Sequence, residues 1–573
     1  MSGGHPATHG LSRKDLDAFA RGGGGRDAVL ELRSAKRSKL LVTLRTLLDS
    51  APAGAGPLGT FAAAWDLLAT AEQADSVSVS EVLALPAVHS WAAQALRYLR
   101  GSVPSDAPLW FALGHLNAIA AAAAVSAGLD FRTSIPVFSG LAVLPTVGAA
   151  VVPTGERHAV AELVAAHGEV VVRHGGVEAT RWLPMRRIRV EHEGRELVVW
   201  LDDLSPFRAF GDPQPAEPLS DKAVVDWTSA LERAWRLLVS RHPEQAEGLT
   251  AGLTALVPGR RRGRFRDSSA TSADAFGSVE LALPSDAPRL AAVLIHEFSH
   301  SKLNGLFDLV ALDVENREEI FYAPWRDDPR PLHGVLHGVY SFLAVTDFWQ
   351  AEGVDDLAHF RFALHRVQTM GAIDTIERSG LLTEVGERFV ATMRVHVQGW
   401  QHHAVPDRHR RAAEQVALDH RATWRLRHLV PDPDHVAAVV ADWTAGRRWR
   451  GDLGPAPVVR PAAGLTEPRA RTHLIEWALR DPESFKTLTE EAVAAEVPGA
   501  TAADLCLVLG ETGRAQTLYL AQIAADPVGF AGWIGLGLTV GSRCLAEFPE
   551  LVRAVAAAVD AAPGELVAWF DRE

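Results

Sequence analysis

The stretch that most constrains how this chain folds is 290–310, LAAVLIHEFSHSKLNGLFDLV. Leu290, Val293, Leu294, Phe298, Leu303, Leu306, Leu309 and Val310 recur at three- and four-residue spacing, which predicts a long, mostly buried helix. His296, Glu297 and His300 interrupt the apolar run in the order H-E-x-x-H. Four residues apart, the two imidazoles project from one helix face and can chelate one ion, while Glu297 lies about 100° round the helix from His296. Burying two imidazoles and a carboxylate without a purpose is costly, so metal binding is the expectation.

The remaining composition narrows the classes. A chain of 573 residues, 47% hydrophobic and 22% charged, is globular and long enough for two to four domains. The Ala-rich run 117–128 reads as too short and too weakly apolar to span a bilayer. The opening MSGGHPATHGLSRKDL lacks a basic start followed by an apolar core, so no signal peptide and a cytoplasmic location are expected. Cys506 and Cys544 are too few for a disulfide framework and are expected as reduced, buried thiols. A net charge of −13 argues against a nucleic-acid partner, and no membrane partner is expected. One local basic run, PGRRRGRFRD, with Arg260, Arg261, Arg262, Arg264 and Arg266, reads as a solvated loop or a contact for an acidic peptide segment.

Periodicity divides the chain into four regions and predicts a mainly α fold with a smaller β-rich segment, an α+β class. Residues 1–130 read as helical; 131–222 as β-rich, with Ile188, Val190 and His192 facing Leu197, Val199 and Leu201 in a hairpin turning near Gly194. Residues 223–450 read as the helical region carrying the motif. After the Pro/Gly-rich GDLGPAPVVRPAAG at 451–464, residues 465–573 read as a helical, repeat-like region.

A third ligand separates two chemistries. Glu319 follows His300 at the spacing used by a large group of zinc aminopeptidases, but it sits in the acidic stretch VENREE, where some carboxylate near that position is expected by accident. The rival is His337, which with His333 forms a second pair four residues apart at the start of another apolar helix. A site of three imidazoles leaves positions open for a chelating co-substrate and oxygen, as in non-haem iron enzymes. The motif helix and the helix beginning near Leu332 are expected side by side, with 313–331 as a cover.

Two blocks carry a family resemblance: SSATSADAFGSVELALPSDAPRLAAVLIHEFSHSKLNGLFDLV and YAPWRDDPRPLHGVLHGVYSFLAVTDFW. They resemble the HEXXH-motif proteins of ribosomal peptide natural-product clusters, which are similar to a domain fused to some radical-SAM peptide maturases. Weaker echoes lie at LSRKDLDAFARGGG, LDDLSPFRAF and ADPVGFAGWIGLGL, so the resemblance spans nearly the whole chain. It implies a stand-alone oxygenase that uses Fe(II), 2-oxoglutarate and O2 to hydroxylate a side-chain β-carbon of a precursor peptide. The implied metal site lies between two helices rather than in a double-stranded β-helix, and a radical-SAM maturase is an implied partner. The alternative is a zinc peptidase acting on such a peptide.

Under the oxygenase reading His296, His300 and His337 bind metal, and Glu297 holds an imidazole or grips substrate; in a peptidase Glu297 is the general base. Arg326 and Arg330 are candidates to fork the distal carboxylate of 2-oxoglutarate, or else they pair with Asp327 or Asp328. Ser269 and Thr271 are candidates to add hydroxyl bonds to it, or else they cap helices. Tyr340 is expected to orient a bound ligand or to serve as a structural phenol. Asp203, beside Asp202, and His333 are the candidate peptide contacts, with a structural role as the alternative for the aspartates.

Overall fold

The change from helical spacing to alternation near residue 130 marks the point where the chain leaves a helical layer and enters a sheet. A computed structural model describes residues 9–52, 56–209, 211–260, 269–316, 318–353, 355–460 and 469–572. The chain is mainly helical with a β-rich segment and forms two compact units, Met1–Ala311 and Leu312–Glu573. The division falls inside the stretch 223–450 that reads from the sequence as one region.

In the first unit, helices from Arg13–Ala20 to Leu109–Ser126 precede a seven-stranded sheet. Its strands are β1 (Phe131–Phe138), β2 (Leu141–Leu144), β3 (Gly148–Val151), β4 (His158–Ala166), β5 (Glu169–His174), β6 (Val177–Glu178) and β7 (Arg181–Pro184), in the order β6-β5-β4-β1-β2-β3-β7. Strand β4 alternates buried Ala159, Ala161, Leu163 and Ala165 with partly exposed residues, the mark of a sheet with one face in the core.

The helix Leu109–Ser126 shares that core and corrects the sequence expectation. The apolar run begins at Leu109, not 117, giving 18 residues of mean hydropathy 1.5, long and apolar enough to cross a membrane by length and composition. Here 78% of it is buried inside the fold, and Asn117 donates to the carbonyls of Leu58 and Ser134. It is the core helix of this unit.

A second, five-stranded sheet is built from β8 (Arg186–His192), β9 (Arg195–Leu201), β10 (Ala255–Pro258), β11 (Ser269–Ala270) and β12 (Ser278–Leu281), in the order β11-β12-β10-β9-β8. The β8–β9 hairpin has the expected faces, with Ile188 opposite Val199 and Val190 opposite Leu197. Glu193 and Gly194 both have positive φ, 49° and 72°, as a two-residue turn matched to strand twist requires. The later strands β10 to β12 lie within the stretch read from the sequence as helical. They are only two to four residues long, too short to display alternation.

The second unit is helical apart from short strand pairs. Its longest helices are Leu332–Ala351, Asp356–Arg378 and Asp407–His428, and a series of shorter ones runs from Ala470 to Phe570. Ala422, Leu426 and Val439 share one core with Tyr519, Trp533, Cys544 and Val552, so the Pro/Gly-rich segment does not separate two cores. Val458–Val459 within it pairs with Leu429–Val430, while residues 461–464 lie outside the described ones. Buried Arg471 ties the helices by pairing with Asp419 and with Asp504 at 2.7 Å. Both cysteines are free and buried, as expected.

Candidate functional site

The motif helix runs Ala287–Phe307. Asp286 caps it by accepting from the Arg289 N–H at 2.9 Å, and Pro288 sits in its first turn, where a missing N–H costs nothing. Leu290, Leu294, Ile295, Phe298, Leu303 and Leu306 are buried, which fixes the helix by its apolar stripe. Phe298 packs against Phe276, and a Cβ on Gly252 would lie 2.4 Å from the Phe298 ring, so glycine is needed for that approach. Leu309 and Val310 lie beyond the last helical turn.

The Nε2 atoms of His296 and His300 are 3.2 Å apart, with ring centroids at 4.8 Å. Two imidazoles bound to one ion through bonds of about 2.0–2.1 Å place their donor atoms roughly 3 Å apart, so the pair has the bite of two metal ligands. Burial pushes His296 below the ordinary imidazole range, partly opposed by the Glu297 charge. The neutral form that results is the one that binds metal. Among the described residues no group of three or more His, Cys, Asp or Glu side chains is gathered as a metal site. The fit is limited to the spacing of the two imidazoles on the motif helix.

Glu297 is buried and turned to hydroxyl donors. Ser269 Oγ donates to its Oε1 at 2.7 Å and Thr271 Oγ1 to its Oε2 at 2.8 Å. Ser269 lies in β11, so the short strand is what carries the donor to the motif helix. This changes the role expected for Ser269 and Thr271. Each hydroxyl has a single proton, and both are directed at Glu297 rather than at a second carboxylate.

Sequence reasoning missed Lys302. Its ammonium is buried, donates to the carbonyls of Gly22 and Gly23 at 2.7 and 2.9 Å, and is pushed down to about 8 by burial. It fastens the motif helix to the end of the LSRKDLDAFARGGG segment, and a lysine among the apolar residues of a buried helix was the available signal. At the helix C-terminus, Asp308 pairs with Lys36 at 2.7 Å and Lys39 at 2.8 Å. These two cations offset an acid placed at the unfavourable end of the helix dipole.

Asp203 is also in the first unit and is buried, with its carboxylate accepting from the Leu219 N–H at 2.7 Å and lying 3.5 Å from Arg186. Asp202 accepts from the Ser205 N–H. Both carboxylates serve the fold here, which is the structural alternative to Asp203 as a peptide contact. Arg260 pairs with Glu217 at 2.7 Å; Arg261, Arg262, Arg264 and Arg266 lie outside the described residues.

The second unit holds the other candidates. His333 lies 3.3 Å from both oxygens of Asp313, and its ring centroid is 5.0 Å from that of His337. Burial, with His333 adding to it, pushes His337 down to about 3. Arg326 and Arg330 both reach Asp328, at 3.0 and 2.9 Å, so the pairing alternative describes them in this structure. Asp327 instead pairs with Arg469 at 3.1 Å. Tyr340 is buried beside Phe389. Glu319 is exposed and held in its own turn, its N–H donating to Asn316 Oδ1.

Comparison with protein-family models finds no match for this chain, and a search of curated proteins finds none either.

Proposed function

We propose that this protein is an Fe(II)- and 2-oxoglutarate-dependent oxygenase that hydroxylates a side-chain β-carbon of a ribosomally made precursor peptide. The observation that carries the reading is the convergence of two partly buried Nε2 atoms to 3.2 Å on the motif helix. It is joined by the family resemblance of the surrounding sequence. His296 and His300 would hold the ion, and His337 is proposed as the third donor. Iron with 2-oxoglutarate and O2 supplies the oxidant for an unactivated C–H bond. The chain's own contribution is a pair of imidazoles held on one face of a packed helix, with His296 kept below the ordinary imidazole range by burial. Glu297, gripped by Ser269 and Thr271, braces the helix between its two histidines instead of standing open as a general base. Arg326 and Arg330 remain the proposed anchors for 2-oxoglutarate and would have to leave Asp328 to serve it. Tyr340 and His333 are proposed to orient ligand and peptide. A cytoplasmic location and a radical-SAM maturase as partner belong to the same proposal, and the run of short helices after Ala470 supports a repeat-like scaffold.

The test is anaerobic reconstitution with Fe(II), followed by O2, 2-oxoglutarate and the precursor peptide encoded nearby. Gain of one oxygen atom by the peptide, with succinate formed in equal amount, is the expected result. His337→Ala should strip iron and abolish turnover, whereas Glu319→Ala should leave metal content intact. Zinc-dependent cleavage of the peptide that requires Glu297 and Glu319 would replace this reading with a peptidase.

A further inference from the structure

The first unit has a cavity of about 600 Å³, a size typical of ligand sites, whose lining includes Lys36 and Phe276 but none of the histidines of the motif helix. Its floor is the β8–β9 hairpin, where Arg187 and Trp200 are direct cross-strand partners and the guanidinium stacks 4.4 Å over the indole. Leu253 and Phe276 extend the apolar part of the lining. The helix Gly25–Ser50 supplies one wall and turns Arg33, Lys36 and Arg37 toward the cavity, positions that share a helix face.

The charges there are unequally matched. Arg187 pairs with Glu81 at 2.6 Å and Lys36 with Asp308. Among the described residues, Arg33 and Arg37 meet no carboxylate; the single bond of Arg33 goes to the Ala251 carbonyl at 3.4 Å. Burial and the neighbouring Arg37 both pull Arg33 below its ordinary range. Like charges one turn apart destabilise a helix, and a partly desolvated guanidinium without an anion adds to the cost. An anionic ligand would relieve both.

We propose that this cavity is a docking site for an acidic peptide segment, one with carboxylates at alternate positions flanking an apolar side chain. Side chains one helical turn apart are about 5–6 Å apart at Cβ, and alternate residues of an extended strand are separated by roughly 6.6 Å, so two guanidinia and two carboxylates can meet in register. The apolar floor of Trp200, Leu253 and Phe276 favours a peptide over a bare phosphate. The net charge of −13 disfavours nucleic acid. Docking needs no metal, so it does not depend on the hydroxylase reading.

The test is selection of short random displayed peptides on the metal-free protein, so its outcome is independent of turnover. Selected peptides should be rich in Asp and Glu beside an aliphatic or aromatic residue. Their affinity should fall with salt and drop about 100-fold in the Arg33→Glu/Arg37→Glu variant, with Arg33→Lys/Arg37→Lys retaining most of it. Hydrogen exchange on the unaltered protein keeps the test decisive if the reversed variant misfolds: a bound acidic peptide should protect Gly25–Ser50 and β8–β9. Selection of peptides without acids, no protection of these segments, or tighter binding there of a polyphosphate or an RNA oligomer would overturn the proposal.

Discussion

His296 and His300 occupy the middle of a 21-residue helix, whereas His333 and His337, with the same spacing, lie in the first turns of a 20-residue one. Both pairs bring their rings together, with centroids 4.8 and 5.0 Å apart, because residues four apart share a helix face. Their neighbours differ. In the first pair the two Nε2 atoms converge, and the nearby carboxylate of Glu297 is engaged by hydroxyls. In the second, the half-exposed His333 leans on Asp313 and only His337 is withdrawn from water. Spacing sets proximity. Burial and the direction of the surrounding donors decide how the two nitrogens of each pair are presented.

The largest effect should come from removing what holds the first pair in place. Phe298→Ala takes a fully buried ring from beside Phe276 and Gly252 and should destabilise the protein by about 3–5 kcal/mol, read from the denaturant midpoint. A loss below about 1 kcal/mol would mean that packing does not fix the motif helix.

Next comes the metal. His296→Ala or His300→Ala should lower Fe(II) affinity at least about 100-fold, equivalent to about 2.7 kcal/mol, while His333→Ala should stay within about threefold. Equal losses on titrating iron into both sets would erase the distinction between the pairs.

Ser269→Ala combined with Thr271→Val leaves the buried Glu297 without its two hydroxyl donors and should cost about 1–3 kcal/mol in thermal unfolding. Adding Glu297→Gln should recover part of that loss, since a neutral amide is cheaper to bury unpaired.

An imidazole outside both pairs calibrates the role of burial. His115, between Trp91 and Phe207, is pushed down to about 3 by burial, so the native state keeps it neutral while the unfolded chain takes a proton near pH 6.5. Its contribution is thus fully present above about pH 6.5 and is lost as pH falls toward 3, at up to about 1.4 kcal/mol per pH unit. Stability curves at pH 7 and pH 5 should converge by that one proton in His115→Leu. The smallest effect is expected from Asp313→Asn, where the partner imidazole is half exposed: about 0–1 kcal/mol, within reach of a double-mutant cycle with His333→Ala.

Much of the site's skeleton was legible in the residues. The motif helix follows from its apolar stripe, its start from Asp286 and Pro288, and the β8–β9 hairpin from strict alternation around a glycine turn. These are local patterns, each set by one element's own period. The extent of the Leu109–Ser126 helix was underestimated because its first two turns lie before the alanine run, with Gly114 and His115 breaking their apolar pattern.

The sequence by itself determined the motif helix, the β8–β9 hairpin and which histidines share a helix face, because each depends on spacing along one segment. Only the tertiary structure decided the partners. Ser269 and Thr271 meet Glu297 across 28 and 26 residues, and Lys302 meets Gly22 across 280. Arg33 and Arg37 stood out only when the fold laid their helix beside the β8–β9 face with the one described carboxylate of the lining, Glu81, taken by Arg187. Such pairings carry no periodic signal. They are set by where long-range packing leaves a polar group that water can no longer satisfy.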